Sequence, residues 1–97
     1  MAEPRTGAML DWTTEEEYWR TTYSNRPYVS ANRDFEYWRP GYRYGFESAM
    51  RNPGRKWNEV ESDLRTGWDR FEHRSQATWE QIKDAVRDGW DRVVGNR

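Results

Sequence analysis

The sequence predicts an all-α fold: a small helical bundle built from about three 22-residue single-helix repeats, the last two forming an antiparallel C-terminal helical hairpin. Three observations predict it. The stretches 35–49 (FEYWRPGYRYGFESA), 57–71 (WNEVESDLRTGWDRF) and 79–93 (WEQIKDAVRDGWDRV) succeed one another at intervals of 22 residues. Aligned, they place apolar side chains at matching positions: Phe35, Trp57, Trp79; then Trp38, Val60, Ile82; Tyr42, Leu64, Val86; Phe46, Trp68, Trp90; and Ala49, Phe71, Val93. Their steps of three and four keep one helix face apolar, and the alternation a strand needs is missing. Finally, Gly45, Gly67 and Gly89 share one register, just before the fourth apolar site. Glycine inside a helix costs about 1 kcal/mol against alanine, so three at one register imply close approach to another helix or to a ring. Gly41 with Gly45, and Ala85 with Gly89, form small-residue ridges beside the apolar stripe and predict a second packing face.

The chain divides into a flexible arm over 1–12 and one helical domain over 13–97. In the arm, Pro4 and Gly7 stand among few apolar side chains, with Leu10 and Trp12 as candidate anchors. Residues 13–33 are a helix plus linker. Thr13 or Thr14 can cap the helix, each with a glutamate three residues on, and Glu15–Glu17 suit its positive end. It ends before Pro27. Trp19 and Tyr23 share a face with Glu16, or with Trp12 if the helix starts earlier. Ser30, Asn32 or Asp34 can cap the next helix. The first repeat, 34–53, carries Pro40 in mid-pattern. Proline breaks or kinks a helix interior, so a short turn over 34–38 and a new helix from Pro40 to about Asn52 are expected, stopped by Pro53-Gly54. The second repeat, 54–74, predicts a helix from Lys56 to His73. The third, 75–97, opens on a Thr78–Gln81 capping box and closes on Gly95.

Composition narrows the functions. Ninety-seven residues suffice for one small domain. Aromatics make up 16% and charged residues 34%, so the core must be built from rings whose N–H and O–H groups need partners. A net charge of −1 provides no global field for nucleic acid or anionic lipid. Fourteen of the sixteen cations are Arg, which stacks on rings and forks to carboxylates. Cysteine is absent, which excludes disulfide and thiolate chemistry. No apolar run is long enough to span a membrane, and the first residues do not read as an export signal, so the expected location is cytoplasmic.

Chemistry-bearing residues are sparse. His73, the one histidine, reads as a solvated residue near a helix end. Glu15–Glu17 fan around a helix and do not converge on a cation. No phosphate loop or nucleophile–base set stands out. The sequence therefore reads as not an enzyme, with no cofactor and no metal. One stretch has recognition character, RDFEYWRPGYRYGF at 33–46. There Tyr37 and Tyr44 are expected to project away from the apolar stripe, among Arg33, Arg39, Arg43 and Arg51. Three uses stay open: holding the N-terminal helix through Glu15–Glu17, binding a protein partner, or binding nucleic acid by stacking and phosphate pairing.

The phrases RPGYRYGFES (39–48), WNEVESDLRTGW (57–68) and TWEQIKDAVRDGWDRV (78–93) resemble a group of small, mostly uncharacterised bacterial proteins rich in Trp and Tyr that accompany general-stress genes. The resemblance spans about 34–93 and implies a bacterial, stress-associated protein, with no catalytic residue to carry over. The expected function is a non-enzymatic protein-interaction or structural module. Its expected partner is itself, as a homo-oligomer, or another protein, with nucleic acid as the alternative and no membrane partner.

Overall fold

A computed structural model describes residues 11–30 and 33–95. Among them lie four helices and no strand: α1 (Trp12–Thr22), α2 (Phe35–Arg51), α3 (Trp57–Trp68) and α4 (Trp79–Val94), with a short 3-10 turn at Tyr23–Asn25 after α1. Most of the expected arm, including Leu10, and the candidate cap Asn32 lie outside the described residues.

Helix boundaries obey local chemistry, with two departures from expectation. Asp11, not Thr13 or Thr14, caps α1 by accepting from the Thr14 amide at 2.8 Å. Starting α1 at Trp12 puts Glu15 on the buried face with Trp19, in place of Glu16. And α2 runs unbroken through Pro40. Proline removes one backbone bond, the one Glu36 C=O would accept; Glu36 is exposed, so its carbonyl can be hydrated instead. Buried Phe35 and Trp38 before the proline and Tyr42 after it share one face, and packing of that face outweighs a local cost of about 3 kcal/mol. Further on, the Glu59 carboxylate accepts from the Lys56 amide at 2.9 Å and starts α3. α3 ends at Trp68, five residues before the expected stop. Thr78 and Gln81 close the capping box of α4, and Gly95, at φ 71°, ends it in the left-handed conformation.

The most extensive helix pair is α2 with α4; α3 and α4, expected as an antiparallel hairpin, share a smaller contact. The two run in the same direction: Gly41 lies against Ile82 and Ala85, and Gly45 against Val86 and the Trp90 amide. The small-residue ridges make this possible. A Cβ on Gly45 would sit 2.0 Å from Val86 O, and one on Gly89 would sit 2.4 Å from Tyr42 O. Two backbones this close exclude any side chain between them, which is the packing logic of small-xxx-small helix pairs. Gly67 has a different neighbour, the Tyr44 hydroxyl, 2.6 Å from where its Cβ would be.

α1 lies antiparallel along the pair. Trp12 meets Phe46, Trp19 stacks flat on Tyr42 at 4.2 Å, and Tyr23 meets Phe35. α3 lies against Tyr44, Trp79 and Trp90 through Trp68 and Trp57. The core is therefore mostly rings. Trp68, Tyr42 and Trp90 are almost fully enclosed, with Ile82, Val86 and Val60 between them. Trp68 Nε1 donates to Ala77 O at 2.8 Å, so its burial leaves no polar group unpaired. Trp57, Phe71 and Val93, expected in the core, are only partly buried.

Candidate interaction surface

The six residues singled out on α2 and just before it are largely engaged within the chain. Arg33 places its guanidinium 4.3 Å over the Tyr37 ring. Tyr37 lies edge-on to Trp38 and donates its hydroxyl to Gln81 Oε1 at 3.2 Å. Arg39 bridges Glu36 at 2.5 Å and Glu16 at 3.3 Å. The Glu36 bond, reinforced by its charge, holds the Arg39 guanidinium more firmly protonated than usual. Arg43 donates to Glu47 at 2.8 Å, with Arg51 at 4.0 Å from the same carboxylate. Tyr44 does not project outward: it is 5% exposed, sits against Trp68 and Phe71, and donates to Leu64 O at 2.8 Å. Burial pushes its phenol pKa up. The reason is rotational. Tyr44 lies two residues beyond Tyr42, about 200° around the helix, and α3 covers that side.

Arg39 and Arg43 do line a cleft of about 290 Å³ with Glu36, Pro40, His73, Arg74 and Ser75. Its charge is largely offset, since Glu36, Glu16 and Glu47 engage the two α2 arginines and Glu72 lies 3.2 Å from His73. With one phenol buried and the other capped by Arg33, neither Tyr44 nor Tyr37 offers a free face to a base. The Arg39–Glu16 pair instead ties α1 to α2, which is the intramolecular use of this stretch.

Two polar links are invisible in the sequence because their members are far apart in the chain. Glu15, 1% exposed, accepts from Arg92 Nε at 2.6 Å and fastens α1 to α4, so it is not a solvated first-turn acid. Arg92 also lies 3.4 Å over the Tyr18 ring. Asp88 accepts from Arg26 Nε at 2.8 Å and from the Tyr28 hydroxyl at 2.5 Å, and the Tyr28 and Tyr42 hydroxyls are 2.9 Å apart. Burial, with the neighbouring phenol and carboxylate, pushes the Tyr28 pKa up. Burial does the same to Tyr42, partly opposed by its bond to Tyr28. A carboxylate that takes a phenol, itself bonded to a second phenol, and a guanidinium is satisfied, so this network pins the 26–28 turn to α4. Among the described residues, no group of three or more His, Asp or Glu side chains is placed to hold a metal ion.

An open surface lies where α3 begins and α4 ends. Trp57, Trp90 and Val94 line a groove of about 620 Å³ with Arg55, Lys56, Asn58, Glu61, Arg87 and Gly95. Val94 is 43% exposed and Trp57 half-buried. The ion pairs of the groove's arginines are loose: Arg55 is 3.7 Å from the Glu59 carboxylate and Arg87 is 3.7 Å from that of Asp91, both beyond hydrogen-bond range. Lys56 and Glu61 have no ion-pair partner among the described residues. Composition alone did not mark this groove, because its members come from the two ends of different repeats.

Fold and surface together define, among the described residues, a small all-helical module with a ring-built core and an amphipathic groove. No helix among the described residues is long and apolar enough to cross a membrane. Comparison with family models, with curated proteins and with solved structures found no match.

Proposed function

We propose that the chain is a non-enzymatic protein-interaction module that docks a partner in the groove between the start of α3 and the end of α4. One observation carries the reading. Among the described residues three large apolar side chains stand exposed, Tyr18, Met50 and Val94, and two of them lie at one end of the molecule: Val94 in the groove beside the half-buried Trp57, and Met50 at the end of α2, which runs the same way as α4. Ringed by polar side chains, such a patch has the anatomy of a protein interface. A catalytic reading lacks comparable support, because the buried carboxylate Glu15 and the Asp88 network are spent on holding elements together.

The test is selection of peptides displayed on phage against the immobilised protein, with the Val94→Glu variant as counter-target. Val94 is exposed enough to tolerate the change, and circular dichroism checks the fold. Docking in the groove predicts enriched peptides that combine apolar and charged residues and that lose affinity at least tenfold on Val94→Glu. Enrichment of only those peptides that bind both forms equally would remove the groove from the proposal.

A further inference from the structure

We infer that the occupant of this groove is the same groove of a second copy, in a two-fold symmetric pair. The inference rests on the docking reading above and adds the identity of the partner. A two-fold contact places one patch against itself, so the patch must be its own complement: apolar at the centre, with both signs of charge around it. The groove meets that condition. Its apolar lining is Val94, the half-buried Trp57 and the barely exposed edge of Trp90. On its rim stand Arg55, Lys56 and Arg87 together with Glu61, with Glu59 and Asp91 beside the two arginines. A partner of one sign would meet its own charge somewhere on this rim and leave opposite charges unanswered. A second copy, turned through 180°, sets Glu61 of each chain toward the basic side of the other.

The same geometry gives a use to two of these charges that have no ion-pair partner among the described residues. Lys56 is the N-cap of α3 and Glu61 stands five positions on, outside the three- and four-residue spacings that bring side chains of one helix together. They cannot pair with each other along α3. They can pair across a two-fold axis, Lys56 to Glu61 and Glu61 to Lys56. Val94, at the last turn of α4, is the side chain that enters the opposite groove. A contact limited to one end of a small module is at the small end of interface sizes, so a dissociation constant in the micromolar range is expected.

The experiment is sedimentation equilibrium on the full chain across about 1–300 μM, with native mass spectrometry for stoichiometry. Four proteins are compared: the wild type, Val94→Glu, Glu61→Lys and Lys56→Glu. The pair predicts a concentration-dependent dimer, weakened at least tenfold by Val94→Glu and severalfold by each charge reversal alone. An equimolar mixture of Glu61→Lys and Lys56→Glu should form the mixed dimer in excess over either homodimer, because only that combination lines up opposite charges. Circular dichroism spectra matching the wild type exclude unfolding as the cause. A strict monomer at 300 μM overturns the inference, as does a dimer indifferent to all three substitutions. A monomer that still selects groove-dependent peptides overturns self-pairing and leaves docking standing. A monomer that selects none removes both.

Discussion

Gly45→Ala tests the central packing most sharply, because local and tertiary effects have opposite signs there. By helix propensity alone the substitution stabilises α2 by about 1 kcal/mol. In the folded protein the new Cβ would lie 2.0 Å from Val86 O, 2.8 Å from the Trp90 amide nitrogen and 2.9 Å from the Val86 carbonyl carbon, all backbone atoms of α4. No side chain can swing aside, so the helices must part by about 1 Å. Separations of that order forfeit a quarter to a half of each dispersion contact across the seam. The side chains along it include Tyr42, Ile82, Val86 and Trp90, all at most 1% exposed. Each is worth roughly 1.5–3 kcal/mol when fully buried, so losing about a quarter across four comes to roughly 1.5–3 kcal/mol. Overpacking strain adds about 1–3 kcal/mol, and the propensity gain offsets about 1. The expected net loss is about 1.5–5 kcal/mol. For a domain of this size that lowers the Tm by roughly 7–25 °C. Urea and thermal unfolding tracked by circular dichroism measure it. Gly67→Ala is the internal comparison, since its Cβ would meet only the Tyr44 hydroxyl, with the next ring atom at 3.8 Å. Removing that hydroxyl with Tyr44→Phe should recover about 1 kcal/mol or more of the Gly67→Ala loss, seen as coupling in a double-mutant cycle. A Tm for Gly45→Ala equal to or above that of the wild type would refute the α2–α4 contact, and with it the role assigned to the glycine register.

Other outcomes rest on single contacts. Ser48→Ala removes a fully buried hydroxyl that has no hydrogen-bond partner among the described residues, so unfolding should show unchanged stability or a gain of up to about 1 kcal/mol. Glu15→Gln removes the negative charge from the buried pair with Arg92 and should cost about 2–4 kcal/mol, with hydrogen exchange rising first in α1. The phenols of Tyr28, Tyr42 and Tyr44 have pKa values raised above their usual 10. Their protonated forms are therefore favoured in the folded state: the stability they contribute is complete below pH 10 and falls as pH rises past it. The slope is about 1.4 kcal/mol per pH unit for each phenol. Absorbance at 295 nm should show these three ionising together with alkaline unfolding, and a smooth titration in the native fold would contradict their burial. Because the α2 arginines are already paired and Tyr44 is enclosed, a labelled single-stranded oligonucleotide should give no shift even at low salt. A salt-sensitive shift lost in Arg39→Ala would restore the nucleic-acid reading.

What one strand of text can determine here is periodic. Apolar steps of three and four, a capping box at Thr78 and Gln81, and a glycine at 95 each act within one helix or its cap, so the all-helical character and the limits of α4 were legible in order along the chain. The glycine register likewise announced a close contact. It did not say with what, and the answer differs by copy: Gly45 and Gly89 meet a facing backbone, whereas Gly67 meets a phenol. Pairing α2 with α4, carrying α2 through Pro40 and turning Tyr44 inward were decided by tertiary packing. Each accepts a local penalty that only buried surface from a distant part of the chain can outweigh. The same holds for Glu15 with Arg92, 77 residues apart, and for the groove whose walls come from opposite ends of two repeats. Nearest-neighbour chemistry leaves a readable period; contact between remote segments leaves none, because it depends on where three-dimensional closure brings them.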